Sequence, residues 1–236
     1  MQQRQPVFNA PRAVLIALAV LVAIHAGRML LDEETDAQLV LSLAFIPARY
    51  TTGAETLPGG TLAAATSFLT HALVHGDWVH LAINSAWLLI FGSLMVRRTG
   101  AGRVLLLSAA SAIAGAVVFL MLNRGLLAPV VGASGAVSGL MGASMRLLFA
   151  AMDQGGPWLL REAPELVRPM ALGEALADRR VLTTIAMLVL INALMAFGIG
   201  GLNEPGGIAW EAHLGGFAAG LLLFGRLERP RAGAVD

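Results

Sequence analysis

The most informative part of the sequence runs from Gly132 to Ala143 and reads GASGAVSGLMGA. It places the hydroxyl of Ser134 between two glycines, at the beginning of a long apolar segment, Ala133–Met152. Small residues recur three and four positions apart along it, a pattern that by itself needs only close packing of two membrane helices. A polar side chain within an apolar segment is also a candidate for function. Both interpretations of Ser134 stay open at this point.

The composition indicates an integral membrane protein. Of the 236 residues, 57% are hydrophobic and only 13% are charged, which lies well outside the range of soluble domains. We expect one compact helical bundle, with no soluble domain before or after it. The chain has no cysteine, which excludes disulfides, thiolate metal sites and a cysteine nucleophile. Its net charge of +1 gives no indication of nucleic-acid binding.

Apolar segments of about 20 residues can cross the hydrocarbon core as helices. We predict six such spans, at Ala13–Leu31, Trp78–Val96, Val104–Leu122, Ala133–Met152, Val181–Ile199 and Ala209–Phe224. Arginines cluster before the first span, between the second and third, between the fourth and fifth, and after the sixth. Because cytoplasmic loops are enriched in arginine, both termini are predicted to be cytoplasmic. The expected fold is an all-α membrane bundle, with a short cytoplasmic segment at 1–12, a membrane domain at 13–226 and a short tail at 227–236.

The sequence also allows predictions for two segments between the spans and for the first span. The outer stretch Asp32–Asp77 has several turn signals and an amphipathic run, Leu62–His75, and is predicted to be a structured loop at the membrane surface. The inner stretch Asp153–Arg180 is predicted to be a solvated connector without chemistry. The first span could alternatively be a cleaved signal peptide, although Ala26 with Ile24 before it makes a poor cleavage site.

Polar residues are found at the beginnings of the second, fourth and sixth predicted spans. All three spans run from outside to inside, so these residues share one depth near the outer surface. His80 and Asn84 lie four residues apart on one helical face and can donate hydrogen bonds to the same point. The ordinary alternative is an asparagine that bridges helices beside an interfacial histidine. His71 and His75 repeat the spacing, which also suits a metal.

Ser134 combines two features that nucleophilic catalysis uses. Its hydroxyl is a possible nucleophile, and its backbone N–H lies in the first turn of a helix, where amide hydrogens lack internal partners. The helix dipole favours negative charge at that end, so this amide can stabilise an oxyanion. Gly132, two residues earlier, permits a close backbone approach.

In the sixth span, as in the fourth, a polar residue near the outer end, His213, is followed by a face of small residues. His213, Gly216 and Gly220 fall three and four residues apart, so they share one helical face. If that face packs on the small residues of the fourth span, the two backbones approach closely and His213 is brought to Ser134. This spacing makes a serine–histidine pair the sharper hypothesis.

These motifs resemble those of the rhomboid family of intramembrane serine proteases. The matching residues are His71-Ala-Leu-Val-His75 followed by His80-Leu-Ala-Ile-Asn84, then Gly132-Ala-Ser134-Gly135 with Gly139 and Gly142, and then His213-Leu-Gly-Gly-Phe-Ala-Ala-Gly220. The three motifs occur in the family's order and extend over nearly the whole chain. The resemblance fits the basic six-helix form that is common in bacteria.

The resemblance implies a set of roles. Ser134 would be the nucleophile and His213 the general base, with no cofactor and no metal. An oxyanion hole would be formed by Asn84, His80 and the amide of Ser134. His71, His75 and Gly132 would line the site, the two histidines helping to retain water.

The family also implies the substrates and the location. They would be transmembrane helices of other membrane proteins, cut near the outer face after local unwinding, at sites with small residues. The fifth span and the loop Gly200–Gly207 would move to admit them. The expected location is a bacterial inner membrane; nucleic acid is not expected as a partner, and the oligomeric state stays open.

Two departures from the family pattern affect details. Ser138 stands one turn beyond the nucleophile, where some members have an aromatic ring that stacks on the base. The outer loop has Pro47-Ala48-Arg49 where some members have Trp-Arg, so only an anchoring role is carried over to Arg49. No carboxylate has a clear claim to a third catalytic position, because Asp77 and Glu211 are expected in outer loops.

Three alternatives differ in chemistry. A rhomboid-like pseudoprotease would bind transmembrane helices without cutting them, but such proteins commonly lack the serine or the histidine. A metal- or haem-binding membrane protein would use His71, His75 and His80, although Ala72 stands where zinc proteases have glutamate. A transporter is disfavoured because we expect no charged residue near the middle of the spans.

Overall fold

The computed structural model of the protein describes residues 10–196 and 209–228. The α-helices in these residues are α1 Arg12–Arg28, α2 Glu33–Leu43, α3 Gly60–Thr70, α4 Trp78–Trp87, α5 Ser93–Thr99, α6 Ala101–Leu122, α7 Ser134–Asp153, α8 Trp158–Glu162, α9 Leu172–Ala177, α10 Arg179–Ala196 and α11 Trp210–Leu227. A π-helical turn, Leu88–Gly92, joins α4 to α5 into one rod. Short 3₁₀ turns occur at Pro47–Tyr50, Ala54–Thr56, His71–Leu73 and Pro164–Leu166.

The prediction of an all-helical chain is confirmed for the described residues, and each of the six predicted apolar segments overlaps a long helix. Three of these helices are long and apolar enough to cross a bilayer, at Trp78–Thr99, Ala101–Leu122 and Ser134–Asp153. Helices α1, α10 and α11 have 17, 18 and 18 residues. The six-span topology and the cytoplasmic termini therefore stay predictions. Both terminal segments extend beyond the described residues.

Small residues hold α6, α7 and α11 together at the centre of the bundle. A Cβ atom added to Gly216 or Gly220 of α11 would collide with the backbone of α7, at Gly135 and Gly139 respectively. A Cβ on Gly115 of α6 would lie 2.5 Å from the carbonyl oxygen of Ala212. Because these positions lack side chains, the backbones are in direct contact. This is the packing that the spacing of the glycines predicts.

The segment between α1 and α4 is structured, as predicted. Arg49 is fully buried and donates hydrogen bonds to the carbonyl oxygens of Pro58 and Leu41, each at 2.8 Å. Arg28, at the end of α1, forms an ion pair of 2.7 Å with Asp36 of α2. The guanidinium of Arg49 therefore holds the loop together, which agrees with the anchoring role expected for it.

The prediction of a solvated connector between α7 and α10 holds only in part, because more than half of its residues are exposed but others are buried. Val167 and Ala175 are fully buried, because this segment folds back against the bundle. Arg146 of α7 is 6% exposed and donates a hydrogen bond of 2.9 Å to the carbonyl oxygen of Met170. Its position within α7 also corrects the expectation that the spans hold no charged residue away from their ends. Arg146 also donates a hydrogen bond of 3.3 Å to the carbonyl oxygen of Leu221 in α11.

The beginning of α10 is held in place by ion pairs. Arg180 bonds to Asp153, at the end of α7, and to Asp178, with distances of 2.7 and 2.6 Å. The hydrogen bonds from Arg180 lower the pKa of Asp178 to about 2. Asp178 is therefore ionised at any physiological pH, and the ion pair is maintained.

Candidate active site

The side chains of Ser134 and His213 are in hydrogen-bond contact, with 2.8 Å between the serine Oγ and the histidine Nε2. Ser134 is the first residue of α7, and His213 lies in the first turn of α11. The close packing of Gly216 and Gly220 on α7 brings the two helix beginnings together. A hydroxyl and an imidazole in this geometry can exchange a proton.

The backbone before Ser134 takes a conformation that requires glycine. Gly132 has a φ angle of +108°, a region that residues with a side chain rarely adopt. A Cβ on Gly132 would lie only 2.6 Å from Nε2 of His80. His80 therefore lies directly against the loop that leads into α7. Beyond this loop, the first N–H groups of α7 have no partner within the helix.

His71 and His75 hold the same loop through hydrogen bonds. The N–H of Gly132 donates to the carbonyl oxygen of His71 at 2.9 Å, and the N–H of Ala133 donates to Nε2 of His75 at 3.3 Å. Burial, with nearby His80, lowers the pKa of His75 to about 3, so its ring is neutral and can accept this bond. Burial also lowers the pKa of His71, whose Nδ1 donates to Ser67. The predicted role in retaining water stays a prediction.

Asn84 lies on the face of α4 that packs against the beginning of α7. Leu81 and Leu88, three residues before it and four after it, form a cluster with Ala133 and Val137. The Asn84 side chain is 4% exposed, and its amide nitrogen donates to the carbonyl oxygen of His80 at 3.0 Å. That bond uses one of the two amide hydrogens. The other is available for a further acceptor.

Asn192 of α10 also lies at the site, although no sequence motif indicates it. Its side chain is 4% exposed, and its Oδ1 lies 2.6 Å from Nδ1 of His213. Asn192 is the only polar residue between Thr184 and Ala196. Because a polar group within an apolar segment is a functional candidate, this isolation was the signal that could have identified it.

The expectation that Glu211 lies in an outer loop is wrong. Glu211 is in the first turn of α11, is 8% exposed and accepts a hydrogen bond of 2.9 Å from Asn123. Asp77 directly precedes α4 and caps it, accepting a hydrogen bond of 2.7 Å from the N–H of His80. Among the described residues, the His213 ring is hydrogen-bonded to Ser134 and Asn192, not to either carboxylate.

Two further expectations concern a metal site and the segment that would move to admit substrates. Within residues 10–196 and 209–228, no group of three or more His, Cys, Asp or Glu side chains is arranged to hold a metal ion. The beginning of the fifth predicted span is found in α10. The loop Gly200–Gly207, expected to move with it, lies outside the described residues.

Comparison with known proteins gives consistent results. A family model for the rhomboid domain matches residues 63–228, which include every candidate site residue. The chain is 30% identical over 166 residues to Rhomboid protease GluP of Bacillus subtilis (strain 168), covering 70% of the chain and 27% of that relative. It is 29% identical over 164 residues to RHOMBOID-like protein 4 of Arabidopsis thaliana, covering 69% of the chain and 34% of that relative. The chain thus spans about a third or less of the length of these curated relatives.

Proposed function

The chain belongs to the rhomboid family, and from this premise we propose that it is an intramembrane serine endopeptidase. It cleaves transmembrane helices of other membrane proteins near the outer membrane face, through an acyl-enzyme intermediate. The observation that carries the proposal is the 2.8 Å contact between Ser134 Oγ and His213 Nε2. A relative that is named a protease supports the same reaction class.

Acylation begins with Ser134. Its Oγ attacks the carbonyl carbon of the scissile peptide while Nε2 of His213 takes the hydroxyl proton. The tetrahedral intermediate then collapses, the C–N bond breaks, and His213 gives the proton to the departing amine. The new amino terminus leaves, and the carboxyl side of the peptide remains as an ester on Ser134.

Deacylation repeats the sequence with water in place of the amine. His213 takes a proton from water, the hydroxide attacks the ester carbon, and the proton returns to Ser134 Oγ as the acid is released. Water must therefore reach a site within an apolar bundle. The placement of Ser134 and His213 at the beginnings of their helices supports access from the outer surface, while residues such as Ile83, which is 43% exposed, face lipid.

The oxyanion forms beside the start of α7. We assign its stabilisation to the N–H of Ser134, the amide of Asn84 and the ring of His80. Burial of Asn84 and the closeness of His80 to Gly132 support this assignment. Removing one such donor typically costs about 2.7–4 kcal/mol of activation free energy.

The substrate must expose its backbone before it can be attacked. In a transmembrane helix every peptide group is bonded internally, so the segment must first unwind. Gly and Pro near the outer end of a substrate helix lower the cost of unwinding, and small side chains such as Ala should suit the site. Helix α10 and the following residues form the proposed entry side, and a bacterial inner membrane is the proposed location.

Cleavage of a model transmembrane substrate in proteoliposomes tests this function. Ser134→Ala and His213→Ala should each abolish cleavage while the protein stays folded. Ser138→Ala is the matched control, because Ser138 lies one turn further along α7 and is also largely buried; it should retain activity. Substantial cleavage by Ser134→Ala would refute the proposal. An inactive wild type that still binds the substrate helix would favour the pseudoprotease.

A further inference from the structure

The hydrogen bond between His213 and Asn192 has a direction that the geometry defines. The side-chain nitrogen of Asn192 donates to the carbonyl oxygen of Leu188, one turn earlier in α10, at 2.8 Å. This bond leaves Oδ1 facing Nδ1 of His213, at 2.6 Å. An amide oxygen can only accept a hydrogen bond. The hydrogen therefore belongs to Nδ1 of the histidine.

A neutral imidazole carries one ring hydrogen, so its position on Nδ1 decides what Nε2 can do. With the hydrogen on Nδ1, Nε2 presents a lone pair to Ser134 Oγ, 2.8 Å away. The serine hydroxyl then donates to Nε2, which is the direction that proton removal requires. In the other tautomer Nε2 would carry the hydrogen and could not act as a base.

We infer that Asn192 is a positioning residue for the proposed protease reaction, because it holds His213 in the tautomer and ring orientation that can deprotonate Ser134. The inference rests on the proposed function and extends it from a dyad to three side chains, with a neutral amide in the third position. In soluble serine proteases a carboxylate does this for the histidine, and papain-like proteases use asparagine. An uncharged acceptor suits α10 because an isolated carboxylate in an apolar segment is costly to bury.

Helix α10 is held to the rest of the bundle by polar contacts at two positions, Arg180 and Asn192. Arg180 binds Asp153 and Asp178 near its beginning, and Asn192 binds the base three turns later. Between them, Met187 and Leu190 are about half exposed, at 50% and 49%. Helix α10 therefore contributes to catalysis although it supplies neither the nucleophile nor the base.

Two substitutions at position 192 separate positioning from structural support. Asn192→Leu has similar size but no acceptor, and Asn192→Asp keeps an acceptor oxygen. If Asn192 only supports the fold, Leu is tolerated better than Asp, because a buried carboxylate is the more costly change. If Asn192 positions His213, Asn192→Asp should be more active than Asn192→Leu. Thr184→Val is the matched control, since it removes a hydrogen bond of the same kind, from Thr184 to the carbonyl oxygen of Arg180, elsewhere in α10.

The activity readouts are kcat and KM on the model substrate and the rate of labelling by a fluorophosphonate. Asn192→Leu should lower kcat and the labelling rate about 10- to 100-fold, a part of what general base catalysis contributes. KM should stay within about twofold, because Asn192 is 4% exposed and its side-chain oxygen faces His213. The kcat and labelling rate of Asn192→Asp should exceed those of Asn192→Leu, and those of Thr184→Val should match the wild type. Wild-type rates in Asn192→Leu, or an Asp variant slower than the Leu variant, would overturn the inference.

The tautomer itself can be read by ¹⁵N NMR of histidine-labelled protein, with His213→Asn used to assign the signals. The wild type should show hydrogen on Nδ1 of His213, and Asn192→Leu should lose that preference. Hydrogen on Nε2 in the wild type would overturn the inference without any need for activity. If the wild type is not labelled by the fluorophosphonate, the protease proposal fails, whereas the NMR result still decides the role of Asn192.

Discussion

Replacing Gly220 with alanine should separate the side chains of Ser134 and His213 without changing either residue. A Cβ at position 220 would lie 2.5 Å from the carbonyl carbon of Gly139 and 2.7 Å from its Cα, and closer still to its oxygen. Carbon atoms in contact normally stay about 3.5–4.0 Å apart. Helices α7 and α11 must therefore move apart by about 1 Å, because the three neighbouring atoms of Gly139 belong to the backbone and cannot rotate away.

This displacement acts on the proposed catalytic contact between Ser134 and His213. Gly220 lies two turns after His213 on the same face of α11, so a shift there is transmitted along a rigid helix. Adding about 1 Å to the Ser134–His213 distance of 2.8 Å takes it beyond hydrogen-bond range. A misplacement of this size typically costs about 10²-fold in rate. Overpacking should also destabilise the protein by about 1–3 kcal/mol.

The assay is the rate of fluorophosphonate labelling, measured together with the thermal unfolding temperature in detergent. Gly102→Ala is the matched control, because a Cβ at Gly102 meets no atom within 4 Å and the substitution adds helix propensity. Gly220→Ala should label about 10²-fold more slowly and unfold at a lower temperature, while Gly102→Ala does neither. A Gly220→Ala protein with wild-type labelling and an unchanged unfolding temperature would refute the reasoning about helix packing.

Three further predictions concern the surroundings of the site. Asn84→Ala should lower substrate cleavage by about 10²-fold and leave residual turnover, because it removes one oxyanion donor among several; an unchanged rate would exclude Asn84 from that role. Burial holds the pKa of His75 at about 3, against an ordinary 6.5, so the unfolded chain binds the proton first and the free energy of unfolding decreases as the pH falls from 6.5 towards 3. His75→Gln can still accept from Ala133 but does not titrate, so thermal unfolding of this variant should depend less on pH; equal slopes would contradict the argument. Cleavage should persist in EDTA, since the proposed chemistry uses no metal, and its loss with recovery on adding zinc would favour the metal-binding alternative.

The parts of the fold that sequence predicts best are those with a strong repeating pattern. The glycines of α7 and α11 could be read as contact faces because close packing in membranes requires small residues at helical spacing. Their registers then brought Ser134 and His213 to the same end of the bundle. The length of the apolar segments likewise gave the helices to within a few residues.

Other features depend on tertiary contacts that leave only a faint pattern. Val167 and Ala175 are buried although their segment contains prolines and charges, because backbone and arginine hydrogen bonds hold it to α7. Asn192 gives no motif, since its partner lies on another helix and its role depends on which ring atom it faces. Glu211 looked like a loop residue because it is charged and lies at the outer end of its span, yet it is buried and accepts a hydrogen bond from Asn123.

The most direct measurement of the central claim is mass-spectrometric mapping of the fluorophosphonate adduct in wild type, Ser134→Ala, His213→Ala and Ser138→Ala. We expect one modified residue, Ser134, in the wild type and in Ser138→Ala, and no adduct when either Ser134 or His213 is replaced. An adduct on a different serine, or undiminished modification of Ser134 in the absence of His213, would contradict it.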